Sequence, residues 1–130
     1  GVPGGGLSLL RMADVVEREV AKAEGDERTG MQILARALEV PTRQLAENSG
    51  ADGGVVDNEM RRSTGNRGFD AARKEYVDLV AAGIIDPTKV IRIALENAVS
   101  AASLLLLTEA TLTEVPEAKE AKDEALASHV

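Results

Sequence analysis

Three short stretches carry residue types that could meet a ligand. "VPGGG" at residues 2–6 places three glycines directly before an apolar-patterned helix. Successive backbone N–H groups at a helix start attract anions. The stretch lacks the Gly-Lys-Ser/Thr of a phosphate loop, and no strand is evident before it, as a dinucleotide fingerprint requires. A flexible entry to a helix is therefore the competing reading. "GFDAA" at 68–72 and "IIDPTKV" at 84–90 each offer one carboxylate, Asp70 and Asp86. An aspartate before small residues or before Pro-Thr is the usual signature of a helix N-cap. Arg43 and Asp52 read most simply as solvated surface charges.

Other chemistries are bounded by what the 130 residues contain. Cysteine is absent, which removes disulfide, thiolate and cysteine–zinc chemistry. The single histidine, His129, stands one residue from the end of the sequence, which excludes an ordinary histidine-based triad. A net charge of −7 and pI near 4.8 disfavour polyphosphate partners. No local basic patch overrides this, because Arg61 and Arg62 stand beside Asp57 and Glu59. The sequence therefore predicts no nucleic-acid partner. It also predicts no membrane span, because Arg92, Glu96 and Asn97 interrupt the most apolar run, "VIRIALENAVSAASLLLL". No signal peptide is visible, and the reading is a soluble, cytoplasmic chain.

The elements that must position these stretches are mostly helical. Aromatics are only 2% of the chain, so the core must be built from Leu, Ile, Val, Ala and Met. Periodicity predicts helices over about 7–23 and 29–40, a third starting at Pro41 and ending at a left-handed Gly50, and a short fourth in "ADGGVVDNEMRRS". "TGNRGFDA" is turn chemistry suited to closing a small hairpin. "ARKEYVDLVAAG" then restores helical spacing as far as Gly83. Asp86 as N-cap and Pro87 at the first position start a long helix to about Leu107, apolar on most of its circumference, as at the centre of a bundle. "TEATLTEV" alternates β-favouring residues and reads as one strand without an evident partner. The charged segment 117–130 has little to bury and reads as a flexible tail.

The order and spacing of "VPGGG", "GNRGFDAARKEY" and "AAGIIDPTKV", then an apolar helix ending "LLLLTEA", resemble the C-terminal equatorial segment of group I (GroEL-type) chaperonins. The resemblance covers Gly1 to Pro116. It implies a mainly α fold: part of the helical bundle of the equatorial domain, with a small hairpin and one C-terminal strand. That domain binds ATP and joins identical subunits into heptameric rings, stacked in pairs. The intact parent would be an ATP-hydrolysing chaperone that encapsulates non-native proteins under a co-chaperonin lid.

Carried over by position, the resemblance places Gly5 against the nucleotide, Asp70, Ala71 and Ala72 at the adenosine end of the pocket, and Asp86 near the ribose hydroxyls. Arg73 and Lys74 depart from the threonine and glycine usual in the family. Arg43, Asp52 and Val55 fall at positions of contact between rings. The residues that grip phosphate, hold Mg²⁺ and orient water would belong to other parts of the parent, as would the apical domain that binds substrate and lid. The 130 residues alone are expected to be a fragment without ATPase activity. A reading from a different class stays open beside this one: a freestanding helical interaction module. A helix-turn-helix DNA binder is disfavoured by the charge.

Overall fold

The computed structural model describes the backbone of residues 1–128 and the side chains of residues 1–109 and 111. Helices α1 (Leu7–Val20), α2 (Gly25–Asn48) and α3 (Gly53–Arg62) come first, after a two-residue strand β1 (Val2–Pro3). A hairpin follows, β2 (Arg67–Asp70) and β3 (Glu75–Asp78), then β4 (Ile85–Asp86) and the long α4 (Thr88–Ser128). Two antiparallel two-stranded sheets form, β1 with β4 and β2 with β3. The mainly helical fold and the small hairpin agree with expectation.

Helix α1 is buried on two sides. Leu7 and Leu10 join Ala46, Val56, Met60, Phe69 and Leu79 in one core cluster, while Leu9 and Ala13 join Leu38 and Ile91 in a second. Helical spacing alone would put Leu7, Leu10 and Val15 on one inward stripe, but Val15 is exposed and Leu9 and Ala13 are buried. At the end of α2, Gly50 adopts φ +88. Its N–H donates to the Glu47 carbonyl (2.9 Å) and that of Ala51 to the Ala46 carbonyl (2.9 Å), the paired bonds of a Schellman cap.

Four local expectations are overturned. Pro41 does not begin a helix but lies inside α2. An interior proline forfeits one backbone hydrogen bond and costs ~3 kcal/mol in an isolated helix. Here the buried Leu38, Thr42 and Ala46 on either side of it hold α2 in one piece. Second, Glu75–Asp78 is a strand rather than helix, and the hairpin is closed by residues 71–74, not by the glycines before it. The register pairs Phe69 with Tyr76, the chain's two aromatics, with ring centroids 5.5 Å apart. That cross-strand pair outweighs the helical spacing of Tyr76, Leu79 and Val80.

Third, Thr108–Val115 is not a strand, since α4 continues through it to Ser128. A lone strand would leave its backbone groups unpaired, whereas a helix satisfies them within itself. The threonines fit this state by donating their hydroxyls to the preceding turn, Thr108 to the Leu104 carbonyl and Thr111 to that of Leu107, both 2.9 Å. The expected flexible segment is helical in backbone over 117–128. Fourth, α4 is not central among the described residues. It packs on α2 and touches α1, and Leu104 and Leu107 are each 66% exposed.

Among the described residues, the hairpin turn holds the one non-glycine position at positive φ, Lys74 at +58. Its N–H donates to the Asp70 carbonyl at 2.7 Å, which fixes that conformation. A Cβ in the left-handed region costs ~1–2 kcal/mol, and glycine escapes the cost. Lys74→Gly is therefore expected to raise stability by about 1 kcal/mol, less some backbone entropy. Urea midpoints of the protein with and without the substitution check this.

Candidate functional site

The glycine turn joins β1 to α1. Gly4 donates its N–H to the Ile84 carbonyl at 2.8 Å, which continues the β1–β4 pairing (Val2 opposite Asp86, Pro3 opposite Ile85). A short strand thus does precede the glycines, and its partner comes from a segment some eighty residues away. Gly5 and Gly6 take φ of +66 and +80. At Gly6 the constraint is also steric. A Cβ there would collide with Thr42 Oγ1 and lie 2.9 Å from the Thr42 nitrogen.

This pairing brings the predicted site residues together. Gly5, Asp70, Ala71, Ala72 and Asp86 all line one open cleft of about 320 Å³, whose other walls are Leu45, Phe69 and Ile84. The volume falls at the lower end of the range that holds small molecules, ~300–1,000 Å³. Its apolar walls come from α2, β2 and the segment before β4. Its lining carries two carboxylates and no cation.

The two aspartates differ in what they can still do. Asp70 is buried, and its Oδ1 accepts from the N–H groups of Ala72 (3.0 Å) and Arg73 (3.2 Å). Its second oxygen lies 3.8 Å from Arg73 Nε. Asp70 therefore builds the rim that presents Ala71 and Ala72. Asp86 is half-buried in β4, and its carboxylate accepts no hydrogen bond among the described residues. Its expected role as N-cap is corrected. Helix α4 begins one residue later, and its first bonds run from Val90 and Ile91 to the Pro87 carbonyl. Pairing with Val2 places Asp86 in the sheet, so its carboxylate stays open toward the cleft.

A family model of the TCP-1/cpn60 chaperonin family matches residues 1–116. The chain belongs to that family. Over 118 residues it is 70% identical to chaperonin GroEL 5 of Bradyrhizobium diazoefficiens, which covers 91% of this chain and 22% of that protein. The chain thus spans about a fifth of the length of this curated relative. The resemblance to GroEL-type chaperonins is borne out. A solved structure, the open-state monomer of a group II chaperonin from Methanococcoides burtonii, superposes with a TM-score of 0.71. That match is at 28% identity and covers 81% of this chain and 27% of the other.

The three remaining predicted positions lie elsewhere in this chaperonin-family chain, at the α2–α3 corner. Asp52 is the N-cap of α3, accepting from the Val55 N–H at 3.0 Å. Val55 is 62% exposed. Arg43 is not simply solvated, because its Nε donates to Asp57 Oδ2 (3.1 Å) and Glu39 Oε2 (3.2 Å).

Those contacts belong to a charge cluster that the sequence reading missed. Asp57, 1% exposed, receives Arg61 Nε at 2.6 Å as well as Arg43. Arg61 also donates to Glu39 Oε1 (2.5 Å), Asp14 Oδ1 (3.0 Å) and Glu17 Oε2 (2.8 Å), so one guanidinium ties α3 to α1 and α2. Burial opposes the Arg61 charge, but Asp57, Glu17 and Glu39 outweigh it and raise its pKa. The available signal was the i,i+4 spacing of Asp57–Arg61 and Glu39–Arg43, which is more often a solvated surface pair.

Glu39 carries the opposite stress. Burial and then the Asp57 charge push its pKa above 4.5, only partly countered by Arg61 and Arg43. A carboxylate raised on folding stabilises the fold below its unfolded pKa and loses that contribution as pH rises through the folded value. Glu39→Gln should therefore become more favourable relative to the parent as pH rises from 4.5 to 7.5, read as the difference in urea midpoints. Asp57→Ala removes the partner of two guanidiniums and is expected to cost about 3 kcal/mol. Thermal unfolding near neutral pH checks that loss.

Proposed function

We propose that this chain forms the adenosine-binding side of the nucleotide site in an ATP-dependent, GroEL-type chaperonin. One observation carries the reading: five residues chosen by position from the sequence, Gly5, Asp70, Ala71, Ala72 and Asp86, line a single cleft. The chemistry of that lining suits a nucleoside. Leu45, Phe69 and Ile84 offer an apolar wall for a base. Asp86 has free acceptor capacity for ribose hydroxyls, which donate to carboxylates. Gly5 lets the backbone of the turn approach closely, and Asp70 holds the rim in place.

The same lining does not fit a metal–phosphate clamp. Its charges are both negative, and Asp70 is already committed to backbone N–H groups. Phosphoryl transfer needs a metal, cationic stabilisation and a positioned water. In this reading those come from other parts of the parent, and this chain's share is to bind and orient the nucleoside. ATP supplies the energy for the chaperone's cycle, and hydrolysis is not assigned to any residue here.

The wider reading follows the family. The parent would assemble identical subunits into heptameric rings in the cytoplasm, with lid and unfolded substrates bound through its other domains. The exposed apolar residues of α4 support incorporation into a larger body, since patches of this kind mark interaction surfaces. Val55, with Asp52 and Arg43 beside it, is the proposed contact between rings. The freestanding-module reading has no comparable observation in its favour.

Asp86→Ala in the full-length protein tests the site. Loss of a charge-assisted bond should weaken ADP binding by roughly tenfold, and it should abolish the preference for ADP over 2′-deoxy-ADP. Stability should change little, because Asp86 caps no helix. Titration with a fluorescent ADP analogue reads the affinity, and unchanged binding by the variant would remove Asp86 from the site.

A further inference from the structure

Thr42 stands out among the described helical threonines because its hydroxyl has a partner outside its own helix. It is 2% exposed, and its Oγ1 donates to the Gly5 carbonyl at 2.9 Å. Other helical threonines behave differently. Thr29, Thr108 and Thr111 all donate to a carbonyl four residues back in their own helix. Thr42 instead reaches across to the turn that forms part of the cleft.

The turn has few other restraints. Gly4 is tied to Ile84, and the Gly4 and Gly6 carbonyls accept from Leu7 and Leu10 as α1 begins. The Gly5 carbonyl has the Thr42 hydroxyl as its described partner. Gly5 and Gly6 both sit at positive φ, and glycine is the residue with the widest backbone freedom. Gly6 packs so closely on Thr42 that a Cβ would meet both its Oγ1 and its backbone nitrogen. Steric contact at Gly6 and a hydrogen bond at Gly5 thus fix the same turn from the same residue.

We propose that Thr42 is a positioning residue for nucleotide binding, holding the Gly5 backbone at the height that the cleft requires. This rests on the reading of the cleft as the adenosine site. Thr42 would touch no nucleotide itself, since it is absent from the cleft lining and acts through Gly5. Pro41 directly precedes it within α2. An interior proline perturbs a helix locally, and the buried Thr42 follows directly on the residue that lacks an N–H.

The test uses the full-length ATPase and four proteins: the parent, Thr42→Val, Thr42→Ser and Ile91→Ala. Valine keeps the branched shape and removes the hydroxyl, whereas serine keeps the hydroxyl. Ile91 is buried in the second core cluster, away from the turn, and controls for general loosening. Small displacements of positioning groups can cost up to ~100-fold. Thr42→Val is expected to raise the KM for ATP about tenfold with kcat within about twofold, and to speed amide exchange at Gly4 and Leu7, the hydrogen-bonded N–H groups of the turn. Thr42→Ser should restore both, and Ile91→Ala should change neither. If valine does not assemble, Thr42→Ala takes its place with the same expected ratio. A parent-like KM in the valine variant, serine as impaired as valine, or an equal effect of Ile91→Ala would each overturn the assignment. Failure of the parent itself to bind ATP would instead reject the nucleotide-site reading, and this inference with it.

Discussion

A single buried carboxylate, Asp57, sets the terms for the packing of the first three helices. An ionised group at 1% exposure is sustainable only if its charge and lone pairs are met. Arg61 and Arg43 meet them from two sides, and each also engages Glu39 on α2. Arg61 then extends to Asp14 and Glu17 on α1. The angular demands of the guanidinium fork allow few arrangements of the three helices. Apolar contacts among Leu7, Leu10, Ala46, Val56 and Met60 supply the driving force beside it. The charge cluster therefore acts on which packing forms more than on how much stability results, in keeping with the modest net value of buried ion pairs.

That packing decides where the cleft lies. Helix α2 must sit against α1 closely enough for Thr42 to touch the glycine turn, and it then brings Leu45 to the cleft wall. The hairpin contributes Phe69 to the core and Asp70 to the rim. Strand β4 is held opposite β1, so Asp86 arrives beside the turn from the far part of the sequence. Four separate segments thus converge on a volume of about 320 Å³. None of them would hold its cleft-facing residue alone. The carboxylates also divide labour: Asp70 is spent on the backbone it shapes, and Asp86 is kept open.

Much of this organisation was legible from short-range chemistry. Gly50 as a left-handed cap, the start of α1 after three glycines and the start of α4 near Pro87 all follow from constraints carried by single residues. The misreadings share a different cause. Local preference alone starts a helix at Pro41, keeps Tyr76 helical and makes Thr108–Val115 a strand, and in each case a longer-range partner or its absence overrides that preference. Pro41 is held in a helix by buried neighbours, and Tyr76 is drawn into a strand by Phe69. Thr108 and Thr111 remain helical because no strand is available to pair with them among the described residues.

The sequence by itself determined the helical class and the exclusion of cysteine and metal-thiolate chemistry, and its resemblance to the chaperonin family implied the five positions that line the cleft. It did so because motif order and spacing survive without knowledge of packing. Tertiary structure alone decided that Asp86 sits in a strand rather than capping a helix. It likewise decided that Thr42 supports Gly5 and that Arg43 turns inward to Asp57. Each of these depends on which oxygen lies within about 3 Å of which donor. That is set by three helices and two sheets meeting in space, at separations of fourteen to more than eighty residues along the chain. No local preference encodes such distances.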